Sequence, residues 1–136
     1  MDVLTLLCVD DRPQLLELRR ALLESHGYRV KTALDGQTAM KILQDTQVAA
    51  VLLEYKTEGM DVEAVAYHVK LHFPSTPIIL LSAYACTPER IVSLVDEYVM
   101  RSELSESLIP AIERATERSQ TSTLEASQDI YKKMTS

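Results

Sequence analysis

Apolar and polar positions alternate along this chain on two length scales. Short, almost continuously apolar runs fall at Leu4–Val9, Val48–Leu53 and Pro77–Leu81, with more mixed runs at Tyr28–Ala33 and Glu97–Met100. Between them lie segments whose apolar residues recur every three or four positions, the period of a helix with one buried face. Runs without alternation suit strands covered on both sides. Tyr28, Val30 and Thr32 alternate with polar neighbours and suit a less buried strand. Strand and helix signals in strict succession predict βα units and a parallel sheet.

The helices have local signals of their own. Pro13 opens the first, because proline has no amide to lose in a first turn. Leu15, Leu18 and Leu22 give its expected stripe, and Gly27 its stop. A second helix is expected over Gln37–Gln44 with Ala39, Met40 and Leu43 inward. A third starts near Met60–Asp61, buries Val62, Val65, Ala66 and Val69, and ends before Pro74. A short fourth is expected from Thr87 as N-cap and Pro88 at the first position, ending by Val95. The fifth covers Glu106–Ser119, where Pro110 must delay the start or bend the first turns. The Ser/Thr-rich stretch from Gln120 is either a frayed linker or a second short helix around Leu124–Met134. The expected organisation is one domain over residues 1–119 and a tail or short helix over 120–136. The expected fold is α/β, a doubly wound five-stranded parallel sheet with flavodoxin-like order 2-1-3-4-5 and helices on both faces.

Composition narrows the function classes. An apolar content of 46% supports a packed core rather than disorder. A net charge of -6, with no Lys/Arg cluster, argues against direct nucleic-acid or membrane binding. The N-terminal apolar run is too short for a signal peptide or a span, so the expected location is cytoplasmic. Cys8 reads as a small core residue and Cys86 as a loop thiol, and neither has a CxxC partner. His68 and His72, four apart, could share a metal, but a solvated helix face is the favoured reading, and His26 reads the same way.

The chemistry collects at the strand ends. Asp10 and Asp11 follow the first strand, Glu54 the third, Ser82 the fourth and Arg101 the fifth. In a parallel sheet these ends share the carboxyl edge, where ligand sites form. The turn after strand one reads DDRPQ and has no Gly-rich phosphate loop.

VDDRP, VLLEYKTEGMD, LLSAYA and DEYVMRS together resemble the response-regulator receiver domain over about residues 4 to 118. The resemblance implies two-component (phosphorelay) signalling through partner proteins rather than an enzyme. It implies an Mg²⁺ site at Asp10, Asp11 and Glu54, with Glu54 at the phosphoacceptor position, where the family carries aspartate. It further implies Ser82 as the switch hydroxyl with Ala83 after it, Arg101 in place of the family's lysine, and Tyr98 as the switch aromatic. Ser102 stands where the family has proline. A sensor kinase or effector would dock on the helix 4–strand 5–helix 5 surface, and a dimer is open.

Glu54 exceeds aspartate by one C–C bond, about 1.5 Å. Misplacement of about 1 Å can cost roughly 10²-fold in a positioned reaction. An atypical receiver with absent or slow phosphorylation at Glu54 is therefore the expectation, with Glu54 paired to Arg101 or accepting from Ser82. Lys56 could add positive charge to the pocket, and Glu58 and Val62 stand where the family often has proline and glycine. Ordinary Mg²⁺-dependent phosphotransfer to Glu54 is the alternative. A metal-dependent phosphatase is a weaker one, since no general acid stands near the acidic pair.

Overall fold

The computed structural model describes residues 2–55, 59–83 and 87–135, with side chains beyond Ser119 described only at Gln128 and 132–134. Lys56, Glu58 and Cys86, singled out above, lie outside the described residues.

Five parallel strands form one sheet in the order β2-β1-β3-β4-β5. They are β1 (Thr5–Val9), β2 (Arg29–Ala33), β3 (Ala50–Glu54), β4 (Ile78–Ser82) and β5 (Glu97–Met100). The flavodoxin-like doubly wound α/β fold read from the pattern is the one observed. Every residue of β3 and β4 is buried, as expected for central strands covered on both faces. β2 alternates instead, burying Val30 and Ala33 and exposing Arg29 and Lys31. Arg20 covers this edge strand by donating to the Val30 carbonyl at 3.0 Å and the Thr32 hydroxyl at 3.1 Å.

Two apolar cores flank the sheet. On one face α1 (Pro13–Ser25) and α5 (Leu104–Thr135) pack Leu16, Leu23, Leu108, Ala111 and Ile112 against Leu6, Cys8, Leu52 and Ile79. On the other, α2 (Gly36–Asp45) and α3 (Val62–His72) pack Ala39, Leu43, Val65 and Val69 against Leu7, Val51 and Leu80. The one-turn α4 (Glu89–Val92) adds Ile91 to that second core. Asp35 and Asp61 cap α2 and α3 by accepting from the Thr38 and Ala64 amides.

Three local expectations are corrected. The buried stripe of α1 is Leu16, Arg19 and Leu23, while Leu18 is 68% exposed and Leu22 38% exposed. Five leucines in this segment offer two stripes, and the buried one contains an arginine that periodicity alone counts as polar. Thr87 does not cap α4: Pro88 occupies the cap position, and the Thr87 hydroxyl donates to the Tyr98 hydroxyl at 3.1 Å. The fifth helix starts at Leu104, after a 3-10 turn over Arg101–Glu103, and continues to Thr135. Pro110 sits within it on an exposed position and does not delay its start. Beyond Pro110 no glycine or proline interrupts the chain. Leu, Glu, Ala, Gln, Lys and Met supply helix propensity that outweighs the Ser/Thr content.

The lower part of α5 is fastened to β5. Glu97 accepts from Arg114 at 2.8 and 3.1 Å and from Arg118 at 2.5 Å, and the Ser119 hydroxyl donates to the Ser75 carbonyl at 2.6 Å. Among the described residues no helix is long and apolar enough to cross a membrane.

Candidate functional site

The parallel sheet brings the ends of β1, β3, β4 and β5 to one edge. The register sets Val9 beside Leu53, Glu54 beside Leu81, and Ser82 beside Met100. Asp10, Glu54 and Ser82 are fully or almost fully buried there, at 0%, 2% and 0% exposure. Asp11 is half-buried, and its Oδ2 accepts from the Gly59 amide at 2.8 Å. Ala83 follows Ser82 at an exposed position. Tyr98 is half-buried against the α2–α3 side core.

Glu54 and Asp10 are held by arginines. Arg101, at the first position after β5, places Nε 2.9 Å from Glu54 Oε1. Arg12 donates through Nε and Nη2 to the two Asp10 oxygens at 3.0 and 3.1 Å, and its Nη2 lies 3.3 Å from Glu54 Oε1. Its own amide donates to Asp10 Oδ1 at 3.1 Å, closing the turn that starts α1. Arg19, from the buried stripe of α1, stands 3.8 Å from Asp10 Oδ2 and 3.7 Å from Glu54 Oε2. Asp11 Oδ1 lies 4.0 Å from Arg12 Nε. Three carboxylates therefore meet three guanidinium groups.

The electrostatics follow from this packing. Burial pushes the Glu54 carboxyl above its ordinary range; Arg101 and Arg19 pull it back, Asp10 raises it again, and Arg12 lowers it. The hydrogen bond to Asp10 raises the Arg12 guanidinium further, with burial opposing and the charges of Asp10 and Glu54 adding, so Arg12 stays charged. The Glu54–Arg101 contact at 2.9 Å is a close ion pair, and the near-complete burial of Glu54 limits screening of it by water.

The expected Glu54–Arg101 contact is present. Arg12 and Arg19 are the site residues that sequence reasoning missed. Arg12 directly follows the acidic pair. Arg19 lies three residues after Leu16 and four before Leu23, so a stripe drawn through those leucines would have exposed it.

The metal expected at Asp10, Asp11 and Glu54 can be tested against the donor atoms. Mg²⁺ requires an octahedral oxygen shell and exposed carboxylate lone pairs. Here both Asp10 oxygens accept from Arg12, Glu54 Oε1 faces Arg101 and Arg12, and Asp11 Oδ2 faces Gly59. Among the described residues no group of three or more His, Cys, Asp or Glu side chains is disposed to hold a metal ion. These residues, as arranged, do not fit Mg²⁺.

A groove of about 970 Å³ lies elsewhere, between α2 and α3, and includes Met40, Met60, His68, His72 and Phe73. Its two histidines are exposed, with rings stacked 6.1 Å apart, in keeping with a solvated helix face.

Comparison with known proteins agrees with the order of the sheet. Residues 6–113 match the family model described as the response regulator receiver domain. The chain is 28% identical over 123 residues to a putative NtrX-like response regulator of Rickettsia bellii, covering 86% of this chain and 26% of that protein. It is 26% identical over 126 residues to the transcriptional regulatory protein SrrA of Staphylococcus aureus, covering 90% of this chain and 52% of that one. The chain thus spans about a quarter to a half of the length of these relatives. Among solved structures, the response regulator TrrA of Thermotoga maritima, in complex with Mg²⁺-BeF, matches with a TM-score of 0.76 and 28% identity, over 83% of this chain and 99% of that one. NtrX of Brucella abortus, in complex with ADP, matches with a TM-score of 0.82 and 24% identity, over 92% of this chain and 30% of that one, which speaks for the fold alone. With the family model reaching from Leu6 to Glu113, over all four strand ends of the site, the chain belongs to the response-regulator receiver domains of two-component signalling.

Proposed function

We propose that this chain is an atypical receiver that signals by binding a partner protein, with phosphoryl transfer to Glu54 absent or slow. The observation that carries this reading is the 2.9 Å contact between Arg101 Nε and the buried Glu54 Oε1. A carboxylate attacking phosphorus needs a free lone pair in line with the leaving group. Glu54 Oε1 is committed to Arg101 and Arg12, and Oε2 faces Arg19. The arginine-paired glutamate then takes the place of a phosphorylated aspartate paired to lysine. The partner is a sensor kinase or downstream effector, and the face offered to it is α4–β5–α5. The one-turn α4 and its Thr87–Tyr98 hydrogen bond give that face an unusual form. In this reading Ser82, Ala83 and Tyr98 keep the switch positions, and the domain proper ends near residue 119, with the helical continuation serving as a connector.

The test is intact mass after incubation with a small acyl phosphate and Mg²⁺, for wild type, Glu54→Asp and Glu54→Ala. The expected result is no phosphoryl gain in wild type, with or without gain in Glu54→Asp. A gain in wild type that is as fast as in Glu54→Asp and disappears in Glu54→Ala would overturn the proposal. It would establish the second reading, ordinary Mg²⁺-dependent phosphotransfer, which the resemblance to TrrA, solved with Mg²⁺-BeF, supports.

A further inference from the structure

We propose that Arg12 and Arg19 are built-in counter-cations of the Asp10–Asp11–Glu54 cluster, standing in for a divalent metal ion, and that this receiver keeps its folded site without Mg²⁺. The inference rests on the receiver reading but not on whether Glu54 is phosphorylated.

Clustered carboxylates repel one another and need compensating positive charge. Here that charge is supplied in full from within the chain, three guanidinium groups to three carboxylates. Arg101 alone would leave an excess of two negative charges, which is the deficit a divalent cation would fill. Arg12 and Arg19 fill it instead. They reach the cluster from the turn and the buried stripe of a single helix, α1, which packs directly beneath it.

The unpaired atoms point the same way. Among the described residues, the buried side-chain polar atoms without a hydrogen-bond partner are Arg19 Nη1, Arg101 Nη2 and Glu54 Oε2. A site built for a metal ion would hold spare carboxylate oxygens. Among its buried, described atoms this one leaves two donors and one acceptor unpaired, so the interior of the cluster is short of acceptors rather than of cations. The two arginines also differ in freedom. Arg19 is 6% exposed and cannot leave without opening the core, whereas Arg12 is 43% exposed and can turn into solvent. Arg19 is therefore the fixed cation and Arg12 the replaceable one.

The experiment measures the melting midpoint and the amide NMR spectrum of the full chain over a millimolar Mg²⁺ titration at matched ionic strength, with Mn²⁺ as a paramagnetic probe. The proteins are wild type, Arg12→Ala and Arg19→Gln. Wild type is expected to show no saturable response. Both variants are expected to lose stability without metal and to regain several degrees of melting midpoint on adding Mg²⁺, by preferential binding to the folded state. If Arg19→Gln does not fold, Arg12→Ala decides, because its side chain leaves from a partly solvated position. A saturable Mg²⁺ or Mn²⁺ response in wild type that is lost in Asp11→Asn would overturn the inference. So would an Arg12→Ala variant that stays indifferent to metal. A wild type that responds to Mg²⁺ yet gains no phosphoryl group would refute this inference alone and leave the proposed function standing.

Discussion

Replacing Arg19 with methionine removes the most deeply buried positive charge among the described residues while keeping much of the apolar stem. The loss can be worked from its two contacts, 3.8 Å to Asp10 and 3.7 Å to Glu54. At an effective dielectric of about 20, each attraction is worth roughly 4 kcal/mol before desolvation. Several kcal/mol of that is recovered, because methionine needs no water stripped from a charge. Neither contact is short enough for a strong hydrogen bond, so the net cost falls at the low end for breaking a buried pair, about 3 kcal/mol. Glu54→Gln behaves differently. Burial lifts the Glu54 carboxyl above its ordinary range despite Arg101 and Arg19, so its charge is held at a net cost, and the neutral isostere should cost less than Arg19→Met does. The double variant should be more stable than the sum of the singles predicts, with a coupling of about 1–2 kcal/mol. Urea melts of all four proteins at neutral pH measure this directly, and Arg19→Met alone should lower the thermal midpoint by about 10 °C. Equal stability of wild type and Arg19→Met would refute the reasoning, because it would mean that Asp10 and Glu54 need no buried counter-charge.

Three further outcomes follow from other parts of the structure. Gly27→Ala should cost about 1–2 kcal/mol. The residue sits at φ 90° and an added Cβ meets nothing within 4 Å, so a urea midpoint unchanged from wild type would remove the backbone argument. Glu97→Gln should cost about 1 kcal/mol at neutral pH, since both arginines are about half exposed and can return to water. Burial of Glu97 is outweighed by the hydrogen bonds and charges of Arg114 and Arg118, so its carboxyl is lowered. Its stabilisation is present above the ordinary carboxylate pKa and lost as pH falls through the lowered folded value. The gap between wild type and Glu97→Gln should therefore narrow as pH falls below the ordinary carboxylate range. Cys8 is fully buried and burial pushes its thiol up to about 12, against the charges of Arg19 and Arg20. In a Cys86→Ser background it should resist a maleimide until the chain is unfolded, and fast native labelling by mass would contradict its core position.

Much of the architecture follows from the order of apolar and polar residues alone. Unbroken apolar runs of five or six residues are too short for buried helices and suit strands covered on both faces, and their alternation with helical periods favours a parallel sheet. That is why the strand order, the α3 stripe and the gathering of Asp10, Glu54, Ser82 and Arg101 at one edge were legible beforehand. The Glu54–Arg101 contact was legible too, because an added methylene and a forked cation at strand ends on the same sheet edge are complementary in length and charge. The tertiary structure alone decided which face of α1 is buried. Leucines at 15, 16, 18, 22 and 23 satisfy two stripes equally well in one dimension, and only packing against Leu6 and Cys8 selects the stripe that carries Arg19 inward. Periodicity treats an arginine as a solvent-facing residue, yet a buried arginine is stable where folding sets two carboxylates within reach of it. The same limit applies to Thr87, whose partner Tyr98 is eleven residues away in sequence and adjacent only across the folded β4–β5 corner. Local pattern specifies which surfaces must be buried; which charges meet inside them is set by contacts between segments far apart in the chain.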